Sequence, residues 1–260
     1  MRKTKIVCTI GPACASEEVL SGLCRAGMNV ARLNFSHGTH EVHKSYIDLI
    51  KKVREKLNLP IAIMLDTKGP EYRIKTFENK KITLEDGDTF IFTTDEITGD
   101  QTRVAVSYKN LIQELNVGDT ILVNNGLVVF EVQSLEGNNA VCKVISGGVL
   151  SDRKSMNFPN HVMTNEYLSE QDKADLLFGI QNDVDFVAAS FVSTKKDMQD
   201  LRKFLNANGG KDIDVIAKIE NRAGVDNIDE ICEIADGIMI ARGDLGVEIP
   251  LWRFLLSRNT

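Results

Sequence analysis

The stretch NVARLNFSHG, residues 29–38, decides how the rest of the chain is read. It starts as an apolar strand, yet Arg32, Asn34 and Ser36 alternate with Leu33 and Phe35, so three polar side chains share one face. A strand inside a parallel sheet is covered on both faces and reads as a nearly continuous apolar run. Polar groups in that setting need partners. One reading is an amphipathic strand with a solvated face. The other is a ligand site at the strand's C-terminal end, where barrels and open α/β sheets hold their ligands.

Working outward, strands and helices alternate on both sides of this stretch. Residues 5–10 read as a strand, and Ser16 caps a helix that carries Glu17 and Glu18 in its first turn and Gly27 just past its end. A second helix follows residue 38, with Val42, Tyr46, Leu49, Ile50, Val53 and Leu57 predicted on its buried stripe. Residues 61–65 form a third strand. Near Glu71 the rhythm changes to short β-rich runs, with Asn125-Gly126 as a hairpin signal. Alternation resumes with a capping box at Ser169 and Asp172. Strands at 185–191, 214–219 and 237–241 follow, with helices to about Leu205 and over 226–235. The fold class expected is α/β: an incomplete (β/α)8-type barrel of about six β/α units with a small all-β barrel inserted. The partial barrel is assigned to 1–70 and 168–260, and the inserted lid to 71–167.

Other strands also end in polar groups. In IAKIENRAG, Lys218 and Glu220 are two apart and share a face. They read either as a local ion pair or as functional groups, and charged residues are seldom fully buried without cause. IMLDTKGPE ends in Asp66 and Thr67, and IMIARGDLG carries Asp244 in what reads as an acidic turn. Glu220 and Asp244 are hard oxygen donors suited to Mg2+. Arg32 and Lys218 suit a phosphate or a developing oxyanion. Asn34, Ser36, Asp66 and Thr67 can line an all-oxygen pocket for a monovalent cation. The sum is a phosphoryl-handling site. Neither GxGxxG nor GxxxxGK[ST] is present, since Leu205 occupies the first glycine position before Gly210-Lys211. His37, His40 and His43 are spaced by three, and solvated imidazoles at a helix start are expected there in preference to a metal site. Trp252 is expected in packing.

Composition narrows the classes. With 43% hydrophobic and 26% charged residues, the 260-residue chain is of ordinary globular type. A net charge of -6 argues against nucleic acid as a partner. No apolar run reaches membrane-span length. The start of the chain reads as a strand, not a signal peptide. Five cysteines without CxxC or metal spacing suit free thiols in a reducing cytoplasm.

ARLNFSHG, MLDTKGPE, LSEQDKADL, FVAASFV, IAKIENRAGVDNIDEI and DGIMIARGDLGVEIP, in this order from about Lys3 to Pro250, resemble pyruvate kinase. That resemblance implies an eight-stranded barrel with a β-barrel lid inserted after the third strand. It also implies phosphoryl transfer from phosphoenolpyruvate to ADP, giving pyruvate and ATP, with Mg2+ and K+. By motif, Arg32 would bind the substrate phosphate, and Lys218 would stabilise the transferring phosphoryl group and the enolate. Glu220 and Asp244 would ligate Mg2+, and the Gly243 backbone would touch the substrate carboxylate. Asn34, Ser36, Asp66 and Thr67 would hold K+. Arg73, Lys154, Asn34 and His37 would reach the nucleotide.

The sequence departs from the family pattern at Asn124 and Asn125, in place of two aspartates, and at residues 155–160, SMNFPN in place of GVNLPG. Both changes bear on the lid and on nucleotide affinity. After Pro250, LWRFLLSRNT resembles nothing the family carries there. The expectation is therefore a chain lacking two barrel strands, a C-terminal domain and most subunit contacts, with impaired activity. Leu251, Trp252, Phe254, Leu255 and Leu256 would fold over one sheet edge as a short helix. Competing readings are a metal-dependent, pyruvate-type aldolase on a related barrel, and a non-catalytic fragment that needs a complementary chain.

Overall fold

Parallel strands joined by helices account for the first of two compact units, which comprises the described residues of 1–70, 166–219 and 227–240. The computed structural model describes residues 3–159 and 166–249. The predicted tail helix and Asn160 lie outside the described residues.

In chain order the unit begins with β1 (Val7–Thr9), α1 (Glu17–Ala26), β2 (Val30–Asn34), α2 (His40–Leu57) and β3 (Ala62–Asp66). Local chemistry sets the helix ends. Ser16 Oγ accepts the Val19 N–H at the start of α1, and Gly27 closes it at φ 111°. Thr39 caps α2, and Asn58 ends it in the left-handed region at φ 51°.

The second unit takes the described residues of 71–165, 220–226 and 241–260. Its strands are β4 (Tyr72–Arg73), β5 (Lys81–Leu84), β6 (Thr89–Thr93) and β7 (Arg103–Ala105), then, after the short α3 (Leu111–Glu114), β8 (Thr120–Val123), β9 (Val128–Glu136), β10 (Asn139–Ser146), β11 (Gly148–Ser151) and β12 (Ser155–Asn157). Seven of them form one sheet in the order β4-β12-β8-β9-β10-β6-β7, and β11 pairs with β5. Alternating side chains bury Phe90, Phe92 and Phe130 in a tight aromatic cluster. The predicted hairpin joins β8 to β9, and Asn124, Asn125 and Gly126 all adopt positive φ there. Asparagine tolerates that region better than most residues.

The chain then supplies α4 (Glu170–Gln181), β13 (Phe186–Ala189), α5 (Lys195–Ala207), β14 (Asp214–Ile219), α6 (Arg222–Asp226), α7 (Ile228–Cys232), β15 (Gly237–Ile240) and α8 (Arg242–Glu248). The six-stranded sheet runs β1-β2-β3-β13-β14-β15, with every neighbouring pair parallel. Sequence order is thus spatial order, as in successive β/α units of a barrel. The fold is an incomplete α/β barrel with an inserted small β domain. Central β3 and β14 are buried almost throughout, whereas Ile238 (43% exposed) and Ile240 (38%) mark the edge strand β15. Among the described residues no helix is long and apolar enough to cross a membrane.

Two local expectations need correction. The helix predicted over 226–235 starts earlier and is two short helices, because Asn227 leaves helical geometry and donates its side-chain amide to the Ser193 carbonyl at 2.8 Å. The acidic turn at Arg242-Gly243-Asp244 is the first turn of a short helix.

Glycines test this packing. Gly22, exposed in α1, has nothing within 4 Å of an added Cβ, so Gly22→Ala is expected to stabilise the chain by about 1 kcal/mol through helix propensity. At Gly147 a Cβ would lie 2.3 Å from the Leu84 carbonyl oxygen, so Gly147→Ala is expected to cost about 1–3 kcal/mol. Urea denaturation midpoints of the two variants should move in opposite directions.

Candidate functional site

Strand register brings the first polar groups together. Asn34 pairs with Asp66 across β2 and β3, and Arg32 lies two residues back on the same face. Ala31, Leu33 and Phe35 are buried on the other face, as the alternation requires. Asp66 is fully buried, and its carboxylate is held between two cations. Arg32 Nε donates to Oδ2, while Lys218 Nζ, at the end of β14, donates to Oδ1 at 2.9 Å. Arg32 Nη1 also reaches Thr9 Oγ1 at 2.7 Å, at the tip of β1. Lys218 is only 7% exposed, and a buried ammonium needs partners of this kind.

A residue that the sequence reading did not select completes this network. Ser190, just past β13, takes a hydrogen bond from Lys218 Nζ at 2.7 Å. Its Oγ lies 2.6 Å from the Thr67 carbonyl and 3.1 Å from Asp66 Oδ1, and its backbone N–H donates to Thr67 Oγ1 at 3.0 Å. The Ser190 carbonyl accepts Tyr167 Oη at 2.8 Å. The next residue, Phe191, sits at φ 55°, a region costly for a bulky side chain by about 1–3 kcal/mol. Strain of this kind is retained where the surroundings fix a geometry. The available signal was a polar residue closing the apolar run FVAAS, the same rule that selects Lys218 and Asp66.

Gly69 approaches this serine closely. Its φ is +67°, and a Cβ there would sit 2.7 Å from the Ser190 carbonyl oxygen. Its N–H donates to Asp172 Oδ1 at 3.0 Å, the same buried carboxylate that forms the Ser169 capping box.

After β2 the chain turns through residues 35–39. Asn34 Oδ1 accepts the Ser36 N–H at 3.0 Å, a local Asx-type closure. His37 is exposed, but the other two histidines correct the expectation of solvated imidazoles. His40 Nε2 lies 2.6 Å from buried Asp175 Oδ1, and its ring stacks on Phe178. His43 is 5% exposed and stacks on Phe35. The buried stripe of α2 is His43, Ile47, Ile50 and Val53, while the predicted Val42 is 40% exposed.

The remaining candidates belong to the second unit. Glu220 is buried, whereas Asp244 and Gly243 are exposed on α8. Glu248, one helical turn beyond Asp244, accepts the Arg222 N–H at 3.0 Å and the Asn157 side-chain amide at 3.0 Å. Burial pushes the Glu248 carboxyl up and Asp244 adds to the rise, against the pull of those two donors. Arg73 makes a two-pronged pair with Glu71, at 2.6 and 2.9 Å. The next residue, Ile74, donates its N–H to the Lys154 carbonyl, so Arg73 and Lys154 lie on adjoining backbone. Among the described residues no group of three or more His, Cys, Asp or Glu converges as a metal cage.

A family model described as pyruvate kinase, barrel domain, matches residues 1–259. The match runs past Pro250, beyond the last of the resembling motifs. Pyruvate kinases from Clostridium acetobutylicum (48% identical over 260 residues, 100% of this chain and 55% of the relative) and Clostridium perfringens (48% over 252 residues, 96% and 53%) are similar to it. So is the pyruvate kinase of Bacillus licheniformis (49% over 252 residues, 96% and 43%). The chain spans about half the length of the curated relatives it matches.

The Asp66 network sets a graded stability test. Asp66→Ala strands two cations and is expected to cost about 3–5 kcal/mol. Ser190→Ala removes one partner of a buried ammonium and is expected to cost about 1–3 kcal/mol. Chemical denaturation of the two variants should show that order.

Proposed function

The chain belongs to the pyruvate kinase family, and on that premise we propose that its strand tips serve phosphoryl transfer from phosphoenolpyruvate to ADP. The observation that carries this reading is the buried Lys218 ammonium, fixed by Asp66 and Ser190 in the same network as Arg32. Phosphoryl transfer needs positioning and charge stabilisation more than covalent help from the protein. A lysine pinned in advance supplies both without reorganising during the reaction.

In this reading Arg32 binds the phosphate of phosphoenolpyruvate. Lys218 faces the phosphoryl group as its bond to the enol oxygen breaks and a bond to the terminal oxygen of ADP forms. The same ammonium stabilises the enolate left behind, which takes up a proton to give pyruvate. Gly243 offers its backbone to the substrate carboxylate. Arg73, Lys154, Asn34 and His37 contact the nucleotide.

The donor chemistry fits the two implied cations. Glu220 and Asp244 provide two carboxylates, and Mg2+ takes one or two with substrate oxygens and water completing its shell. When bound, Mg2+ would neutralise charge on the phosphoryl oxygens. Asn34, Ser36, Asp66 and Thr67 offer only oxygen, as a K+ pocket requires. Asn34 and Asp66 are register neighbours, and Asp66 would be shared with Arg32 and Lys218. All five cysteines are free, which suits a reducing cytoplasmic setting.

The test combines calorimetric binding of phosphoenolpyruvate with a coupled assay of pyruvate formation. Arg32→Met is expected to weaken binding. Lys218→Met is expected to lower kcat by about 10²–10³-fold, the scale of one lost electrostatic stabiliser. Chelating Mg2+ should abolish turnover, and replacing K+ by Na+ should reduce it. Turnover that survives Lys218→Met unchanged would overturn the assignment.

A further inference from the structure

The least explained group in the first unit is the His43 imidazole. It is buried on the core stripe of α2, where leucine or isoleucine would fill space without a polar atom to satisfy. Its Nε2 lies 2.8 Å from the His37 carbonyl oxygen. A carbonyl can only accept, so Nε2 carries the proton and Nδ1 presents a bare lone pair. That Nδ1 is buried and has no hydrogen-bond partner among the described residues. A buried acceptor without a partner is rare and costs stability. The imidazole is therefore kept for what its other nitrogen does.

What it does is hold a turn. Phe35 N–H donates to the Asp66 carbonyl at 2.9 Å, and His37 N–H reaches the Asn34 carbonyl at a long 3.3 Å. Beyond those and the Asn34 side-chain bond, the His43 N–H is the link from the helix core to this turn. The ring also stacks on Phe35, with centroids 4.0 Å apart and planes at 11°. Gly38 lets the backbone close onto it: φ is +86°, and a Cβ would come within 3.2 Å of Nε2. Burial lowers the imidazole's proton affinity, outweighing the His37 carbonyl and Asp175, so the neutral ring that this hydrogen bond requires is favoured.

We propose that His43 is a positioning residue: through Nε2–H it clamps the turn at residues 34–38 and so presents Asn34, Ser36 and His37 to the cation and the nucleotide without touching either. This rests on the ligand reading of those three residues given under Proposed function.

The test compares the unmodified chain with His43→Leu, which fills the core but cannot donate, and His43→Gln, whose amide N–H can. Amide hydrogen exchange is followed over residues 34–39, with β3 and β13 as internal references. It is measured in NaCl and again in KCl with Mg2+ and ADP. His43→Leu is expected to speed exchange of the turn by about tenfold, the size of one lost hydrogen bond, and His43→Gln to restore most of the protection. Ligands should protect the turn in the unmodified chain and much less in His43→Leu. Nitrogen-15 spectra of the unmodified chain should show the Nε2–H tautomer. Unchanged exchange in His43→Leu, or an Nδ1–H tautomer, overturns the clamp and leaves the site reading intact. A turn loosened by His43→Leu but indifferent to ligands in the unmodified chain overturns the ligand reading, and with it the positioning role.

Discussion

One buried carboxylate organises the C-terminal strand ends of the first unit. Asp66 accepts from Arg32 on one oxygen and from Lys218 on the other, and it is a partner the two cations share. The desolvation cost of such a cluster is large and is offset only when every member is paired. Ser190 supplies the pairing that Asp66 cannot, by joining Lys218 to the Thr67 carbonyl. Residues from β2, β3, β13 and β14 are thereby tied through side chains as well as through the sheet ladder. Any change to one of them alters the surroundings of the rest.

This arrangement explains why Asp66, Thr67, Ser190 and Lys218 stand at or near the C-terminal ends of their strands. The middles of β3 and β14 are buried on both faces and admit only apolar side chains. At the C-terminal ends, backbone groups leave the ladder and become available, as when the Thr67 carbonyl accepts from Ser190 and the Thr67 N–H donates to the Ala188 carbonyl. A network of side chains can then be completed by main-chain partners that a strand interior would not spare. The strained φ at Phe191 belongs to the same logic, since it turns the chain away at once and leaves Ser190 facing Lys218.

Much of this was legible in the residues. Six parallel strands, their order, the caps at Ser16 and Ser169, and the glycine closing α1 all follow from apolar runs and capping chemistry. Arg32, Asp66, Thr67 and Lys218 were selected because polar groups ended apolar strands, and all four meet in one hydrogen-bonded set. What was not legible depended on packing. In α2, His43 is buried and stacks on Phe35 while Val42 is exposed, so a histidine holds a core position that hydrophobicity alone gives to Val42. Ser190 escaped because serine is common at strand ends and only its neighbours reveal its role. The helix carrying Asp244 contains Gly243 and Gly246 and so reads as a turn, although Leu245 and Ile249 bury against Val225 and hold it helical.

The Ser190 carbonyl also marks where the chain first leaves the first unit and where it comes back from that excursion. Gly69 abuts it just before the excursion, and Tyr167 reaches it just after. The two crossing points thus lie within about one tyrosine side chain of each other, the arrangement that makes domain insertion tolerable. The excursion between them holds nine strands, β4 to β12, and a short peptide could bridge its stem while the six-stranded sheet kept its strand order.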